Sequence, residues 1–277
     1  MKLLFLLLLV AILHAREIRI GFTAVITRED TESIQALVEY LSKKTGFSFK
    51  PVFAKSYDEM DYFLAMGLVD LGYICGGPYV EGRERYGYRV LVVPLNFEGK
   101  PYYYSLVVAR VEKPYRRLTD FAGKPYAFSD PKSNSGSLVP TYELLKRGIR
   151  VGDFFKPIVY TYSHYESLIA VHKGFVEGAS VDSLVYEHAI RLDKNLQKEL
   201  KVIERYGPYP TKPLVYRKGL DPSVVNRLRR AFISMKEEEE GKRILEALGI
   251  SGFSTVEEDF YEPIRSMINY VKRNGAF

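Results

Sequence analysis

Beyond residue 15, stretches with the two-residue period of a strand and stretches with helical spacing take turns along the chain. EIRIGFTA (17–24) has the β-branched character of a half-buried strand, and REDTESIQALVEYLSKKTG (28–46) reads as an amphipathic helix. Asp30 or Thr31 stands where that helix needs a cap, and Gly46 lies just past its end. SFKPVFAK (48–55) is a second strand. SYDEMDYFLAMGLVD (56–70) is a short helix with Ser56 and Glu59 at capping-box spacing. LGYICGG (71–77), RVLVVPLNF (89–97) and YYYSLVVAR (102–110) are three further strands. The β-α-β-α-β order predicts a mostly parallel sheet with helices on both faces.

The pattern then restarts. KPYAFSD (124–130), KPIVYTYS (156–163), GASVDS (178–183) and KVIERYG (201–207) read as strands. PTYELLKRG (140–148), YESLIAVHKGF (165–175) and SLVYEHAIRLDKNLQKEL (183–200) read as helices between them. After PLVYRKG (213–219) come two strongly helical stretches, 221–249 and 258–275. No linker rich in Pro, Gly or Ser divides the chain. Two similar α/β units with a helical tail imply two lobes facing a ligand cleft, because open α/β sheets bind ligands beyond the carboxyl ends of their strands.

The first fifteen residues, MKLLFLLLLVAILHA, break the pattern. Lys2 precedes about eleven apolar residues, then small Ala15 and an abrupt change to REIRIGF. That run is too short to span a bilayer of roughly 30 Å, so residues 1–15 are expected to be a secretory signal peptide, with Leu13 imperfect for a cut after Ala15. No cysteine follows at the cut to carry a lipid. An exported chain meets an oxidising compartment, yet Cys75 is its one cysteine, so the fold must rest on its core rather than on a disulfide. Within LGYICGG, Cys75 reads as a small buried hydrophobe.

The 277 residues carry 40 Lys plus Arg against 34 Asp plus Glu, dispersed as ion-pair partners along helix faces. This mild basic excess suits an anionic ligand, and no nucleic-acid recognition motif is present. HExxH and Cys/His clusters are absent, so neither a metal site nor a cofactor is expected. SDPKSNSGSLVPTYELLKRG (129–148) has no P-loop lysine after Gly136 and no GxSxG elbow. It does set a polar loop ahead of a helix expected to begin near Leu138. The hydroxyls of Ser133, Ser135 and Ser137 and the free N–H groups of a helix start together suit an oxyanion. Gly136 would permit close backbone approach, and Pro140 fits a first helical turn. Ordinary capping by one serine accounts for part of the pattern.

Several segments resemble, in order, the phosphate/phosphite/phosphonate-binding proteins of ABC importers, a branch of the type II periplasmic binding proteins. They are the first helix TREDTESIQALVEYLSKKTG, YDEMDYFLAMGLVDLGYICGGPYV with its "GxVD" and "GPxY", and GKPYYYSLVVAR. The signature loop LTDFAGKPYAFSDPKSNSGSLVP, the His-led SHYESLIAVHKGFVEGASVDS and the return segment ERYGPYPTKPLVYRKGL follow. The resemblance covers essentially the whole chain after residue 15. It implies an α/β fold of two lobes with a hinge, lobe 1 being residues 16–105 plus 208–277 and lobe 2 residues 106–207.

It also implies a ligand site made of Ser133, Asn134, Ser135, His164, Asp182, Tyr57 and Tyr103. Ser133, Asn134 and Ser135 would grip the oxyanion, Asn134 standing where the family commonly has Thr. His164 would hydrogen-bond an oxygen, more strongly if protonated. Tyr57 and Tyr103 would close the site, with Tyr102 and Tyr104 competing for the role of Tyr103, and Tyr73 and Tyr79 as lesser lining candidates. Asp182 would accept from a P–OH or an ammonium group of the ligand, or else simply cap the helix that follows it. Glu177 replaces a family Asp and reads as a turn residue. The implied protein is a periplasmic, monomeric binder of a phosphorus oxyanion that serves a membrane permease and carries out no catalysis. Alternatives with the same fold are a sensory domain for a signalling partner and a binder of another oxyanion such as arsenite. An esterase or phosphatase using Ser135 and His164 is the enzymatic rival.

Overall fold

The computed structural model describes residues 16–23 and 31–275. The expected signal peptide, residues 1–15, and the expected cap Asp30 lie outside the described residues. Strands β1 (Glu17–Phe22), β2 (Ser48–Phe53), β3 (Leu71–Tyr73) and β4 (Arg89–Leu95) join β10 (Leu214–Tyr216) and β11 (Gly252–Ser254) in a sheet of order β11-β4-β10-β3-β1-β2. Strands β5 (Tyr102–Arg110), β6 (Tyr126–Phe128), β7 (Ile158–Tyr160), β8 (Gly178–Asp182) and β9 (Leu200–Pro210) form the second, of order β7-β6-β8-β5-β9.

Neither sheet is mostly parallel. β1 runs parallel to β2 and β3, and β6 to β7 and β8, as βαβ units require. The remaining pairs, β10 with β3 and β4, β11 with β4, and β5 with β8 and β9, are antiparallel. The reason is connectivity: the chain leaves the first sheet after β4 and returns through β10, so the returning strand runs against its neighbours. Pro51 is tolerated in β2 because that strand lies at a sheet edge.

Helices α1 (Thr31–Thr45), α2 (Tyr57–Ala65), α3 (Gly76–Tyr86), α9 (Pro222–Ser234), α10 (Glu239–Ala247) and α11 (Glu262–Arg273) accompany the first sheet. Between α3 and α9 in the chain, α4 (Val139–Leu145), α5 (Val151–Phe154), α6 (His164–His172), α7 (Ser183–Leu192) and α8 (Lys194–Glu199) accompany the second. Four apolar clusters result, one on each face of each sheet. α1, α9 and α10 pack Leu37, Leu41, Leu228 and Phe232 with Ile18 and Ile20 of β1. The opposite cluster gathers α2, α3 and α11 and reaches Leu138 and Val139 at the start of α4. Tyr142 of α4 meets Tyr270 of α11 edge-on, 5.0 Å between ring centres, so the C-terminal helix packs on both units.

Several expected boundaries move. LGYICGG is a strand only to Tyr73; Cys75 is the N-cap of α3 and Gly76 its first residue. Close packing explains the glycines there: a Cβ on Gly77 would stand 2.7 Å from the carbonyl oxygen of Lys132. The stretch 183–200 is two helices broken at Asp193, which caps α8 by accepting from Asn195 N–H at 2.8 Å. The stretch 221–249 is interrupted by a 3₁₀ turn at Met235–Glu237 and an extended Glu238. A continuous helix would stack the glutamates of KEEEE on themselves, whereas the break delivers Glu238 to Lys44 at 2.6 Å and Glu240 to Lys43 at 2.8 Å.

The two crossings between sheets run through residues 96–101 and 211–213. Buried Thr211 ties them together: its hydroxyl donates to the carbonyls of Pro94 (2.8 Å) and Pro101 (3.1 Å). The Tyr261 hydroxyl in turn donates to the Thr211 carbonyl at 2.6 Å.

Candidate functional site

The signature loop leaves β6 at Ser129 and Asp130, both buried. Ser133 caps the next turn, its Oγ accepting from Gly136 N–H at 3.1 Å. The α-helix begins at Val139, with Leu138 as its N-cap, as expected; what was not expected is a single wide π turn ahead of it at Asn134–Leu138, with Leu138 N–H donating to the Ser133 carbonyl at 2.9 Å. Such turns widen the backbone where side chains must be re-aimed. Pro140 sits in the first turn of α4, as expected. Gly136 serves a different end from the expected approach to a ligand: a Cβ there would stand 2.0 Å from Ser129 Oγ, so glycine lets the turn close on its own strand.

The other expected residues converge on this loop from helix starts. Tyr57 opens α2, behind the cap Ser56, and its N–H donates to Asp130 Oδ2 at 3.2 Å. Tyr103 on β5 accepts from the Asn134 side-chain amide at 2.8 Å. Its rivals face elsewhere: Tyr102 is exposed, and the Tyr104 ring lies 3.3 Å beneath the Arg205 guanidinium. Cys75, the cap of α3, accepts the backbone N–H of Asn134 at 3.2 Å. Burial pushes its thiol above the ordinary range, with the Asn134 N–H opposing, so it acts as an inert acceptor.

His164 opens α6 behind the cap Ser163 and is fully buried. Its Nδ1 accepts from Asp182 N–H at 3.2 Å, which leaves the proton on Nε2, 3.5 Å from Ser133 Oγ. Burial, reinforced by Lys212 and opposed by Asp182, pulls its pKa down to about 4. The expected strengthening by a protonated imidazole is therefore corrected: at neutral pH His164 is a neutral N–H donor of fixed tautomer.

Asp182 ends β8 and caps α7, its Oδ1 accepting from Leu184 N–H (2.8 Å) and Val185 N–H (3.3 Å). Its Oδ2 is 3.0 Å from the ammonium of Lys212. The expected helix-cap role thus falls to Oδ1, while Oδ2 faces the chain's own Lys212. Lys212 is the residue that sequence reasoning missed. Its signal was a single charge in the uncharged, aromatic and proline-rich stretch YGPYPTKPLVY, and it is 2% exposed. Burial alone would lower its pKa, but the Asp182 carboxylate, with Tyr73 and Cys75 adding to it, holds it above the ordinary lysine range.

Around this framework lie polar atoms that no protein group satisfies: the hydroxyls of Tyr57, Ser129, Ser137 and Thr141, and Asn134 Oδ1, all fully buried, while the Ser135 side chain hydrogen-bonds Tyr103. Buried polar groups are ordinarily paired, and this loop departs from that rule at several neighbouring positions. Glu177 lies outside it, bonded to Lys113 and Tyr115. Tyr79 packs edge-on against Tyr261, while the Tyr73 ring lies 5.9 Å from the Lys212 ammonium. Among the described residues, no group of three or more His, Cys, Asp and Glu is arranged to hold a metal ion.

Two mixed α/β units joined by two crossings, with a buried polar cradle at converging helix starts, define a type II periplasmic binding fold. A structure described as a binding protein component of an ABC phosphonate transporter from Pseudomonas aeruginosa superposes with a TM-score of 0.87 at 25% identity, covering 94% of this chain and 88% of that one. The phosphonates-binding periplasmic protein of Escherichia coli K12 is 25% identical over 241 residues, 85% of this chain and 71% of its own length. The phosphate-import protein PhnD of Mycolicibacterium smegmatis is 28% identical over 226 residues, 76% of this chain and 70% of that protein. The family profile described as "ABC transporter, phosphonate, periplasmic substrate-binding protein" matches residues 20–261, and the chain belongs to that family. It is accordingly a substrate-binding component of an ABC transporter and not an enzyme.

Proposed function

We propose that the chain binds a phosphorus oxyanion (a phosphonate, phosphite or phosphate) between its lobes and hands it to a membrane permease. The observation that carries this reading is the set of buried, unpartnered hydroxyls of Tyr57, Ser137 and Thr141, with the neutral Nε2–H of His164 reaching the same loop at Ser133. Each supplies a hydrogen bond to an oxygen without adding net charge. Leaving such groups unmet costs about 1–3 kcal/mol apiece, so an oxyanion that meets several gains strongly. Ser133, through its backbone and capped Oγ, holds the loop in shape.

Asn134 contributes differently from a hydroxyl. One of its two amide N–H donors is taken by Tyr103, and its unpartnered Oδ1 can only accept. An acceptor there favours a ligand that still carries a P–OH, which a singly charged phosphonate does. In this reading the lobes are the two sheets with their helices, so the divisions expected at 105/106 and 207/208 move to the crossings at 96–101 and 211–213. Ligand bridging the lobes shifts an open–closed equilibrium. The leader 1–15 directs the chain to the periplasm, where it acts as a monomer. The names of the two curated relatives, one for phosphonates and one for phosphate, support the ligand class. Calorimetry on a ligand-stripped sample with phosphate, phosphite, methylphosphonate and 2-aminoethylphosphonate tests it; a folded protein that binds none of the four refutes it.

A further inference from the structure

Lys212 lies in the short crossing between β9 and β10, and its ammonium reaches across to Asp182 Oδ2 at 3.0 Å. The other carboxylate oxygen is taken by the N–H groups of Leu184 and Val185. Sequence reasoning offered Asp182 to a P–OH or an ammonium group of the ligand, but the chain already supplies an ammonium there. Because Asp182, together with Tyr73 and Cys75, offsets the effect of burial, that lysine stays charged throughout the physiological range.

We propose that Lys212 is a specificity-determining residue: by giving Asp182 the chain's own ammonium, it restricts the ligand to phosphonates whose organic substituent carries no positive charge. The proposal rests on the oxyanion reading of the site. A cationic substituent entering beside Asp182 meets a buried like charge, and such juxtapositions cost several kcal/mol.

The space beyond Lys212 agrees with this. Lys212, Tyr73 and Leu184 share the wall of a cavity of about 390 Å³ between the two units, continued by Phe22, Phe232 and Phe253. An ammonium displaced from Asp182 would lie against this apolar wall, where a charge is expensive and an alkyl group is favoured. Asp193, also on the wall, caps α8 through Oδ1, and Lys194 next to it places a positive charge on the same wall.

The test compares propylphosphonate with 2-aminoethylphosphonate, a matched pair in which a terminal methyl becomes an ammonium, with methylphosphonate as reference. Calorimetry on the ligand-stripped protein should show methyl- and propylphosphonate binding and 2-aminoethylphosphonate at least about tenfold weaker than propylphosphonate. In Lys212→Met the gap should narrow or reverse, because Asp182 is then free to receive the ligand's ammonium. Should that variant fail to fold, the charge-neutral Asp182→Asn/Lys212→Met pair, checked by thermal melting, should also narrow the gap. Equal or tighter binding of 2-aminoethylphosphonate by the native protein overturns the proposal, as does an unchanged gap in a folded variant lacking Lys212. Failure of all three phosphonates, and of phosphate and phosphite with them, overturns the oxyanion reading and this proposal with it, whereas binding of phosphate or phosphite alone, or phosphonate binding without discrimination, overturns this proposal alone.

Discussion

Protonation of one buried imidazole should set how the fold responds to acid. His164 has a pKa of about 4 in the folded protein, against an ordinary value of 6.5, chiefly because burial penalises its charged form. Between those two values the unfolded chain binds a proton at this position and the folded chain does not, so stability rises with pH across the window. The His164 contribution is therefore fully present above about pH 6.5 and lost progressively as the pH falls toward about 4. At about 1.4 kcal/mol per pH unit, the gap amounts to about 3 kcal/mol.

The perturbation is His164→Gln, which keeps an amide able to accept and donate but does not titrate. Urea melts of both proteins, stripped of ligand and followed by circular dichroism, would be recorded from pH 7.5 to 4.5. Buried Asp61 and Asp130, whose pKa values are raised by burial, change stability in the opposite sense in this range. They are present in both proteins and cancel in the difference. Native stability should fall relative to the variant by about 2–3 kcal/mol over this range. Parallel stability curves would refute the argument, and so would an NMR titration placing His164 near 6.5.

Asp182→Ala should cost about 3–5 kcal/mol in a chemical melt, since it strands the buried Lys212 ammonium and two helix N–H groups. Asp182→Asn keeps the cap and should cost less; losses under about 1 kcal/mol for both would mean that the pair is not buried. Tyr57→Phe removes a hydroxyl that no protein group satisfies, so stability should stay within about 0.5 kcal/mol or rise, while oxyanion affinity drops about tenfold or more by calorimetry. A large stability loss with intact binding would show a structural role instead. Gly136→Ala places a methyl 2.0 Å from Ser129 Oγ and 3.0 Å from Ser129 Cβ, and should destabilise by about 1–3 kcal/mol. A melt unchanged from the native protein would show that the loop relaxes freely.

These residues behave differently because recognition and stability draw on different atoms of the same loop. Ser133 Oγ and Gly136 hold the turn through contacts within the chain, whereas Ser137 and Thr141 present hydroxyls that the fold leaves unmet. The first pair should register in melts and the second in calorimetry.

Local information settled much of this molecule. Hydrophobic periodicity located β1, α1, β2, α2, β4 and β5 because each is specified by its own residues: a cap such as Ser56, a stop such as Gly46 at φ +66°, or an unbroken apolar run. The signature loop was legible for the same reason, its hydroxyls and glycine being clustered in six residues. What remained hidden was every feature set by a partner distant in the chain. Sheet direction depends on how the returning β10 inserts beside β3, and α3 begins at Gly76 because Gly77 must meet the Lys132 carbonyl. The break at Glu238 depends on lysines nearly two hundred residues away on α1. The protonation state of His164 followed from burial, which no neighbouring residue announces. Lys212 looked like any surface lysine until the crossing strand carried its ammonium to Asp182. Sequence alone determined the elements and the polar loop, because those arise from contacts within a few residues. Tertiary structure decided the charge balance of the site, because that depends on which groups folding removes from water together.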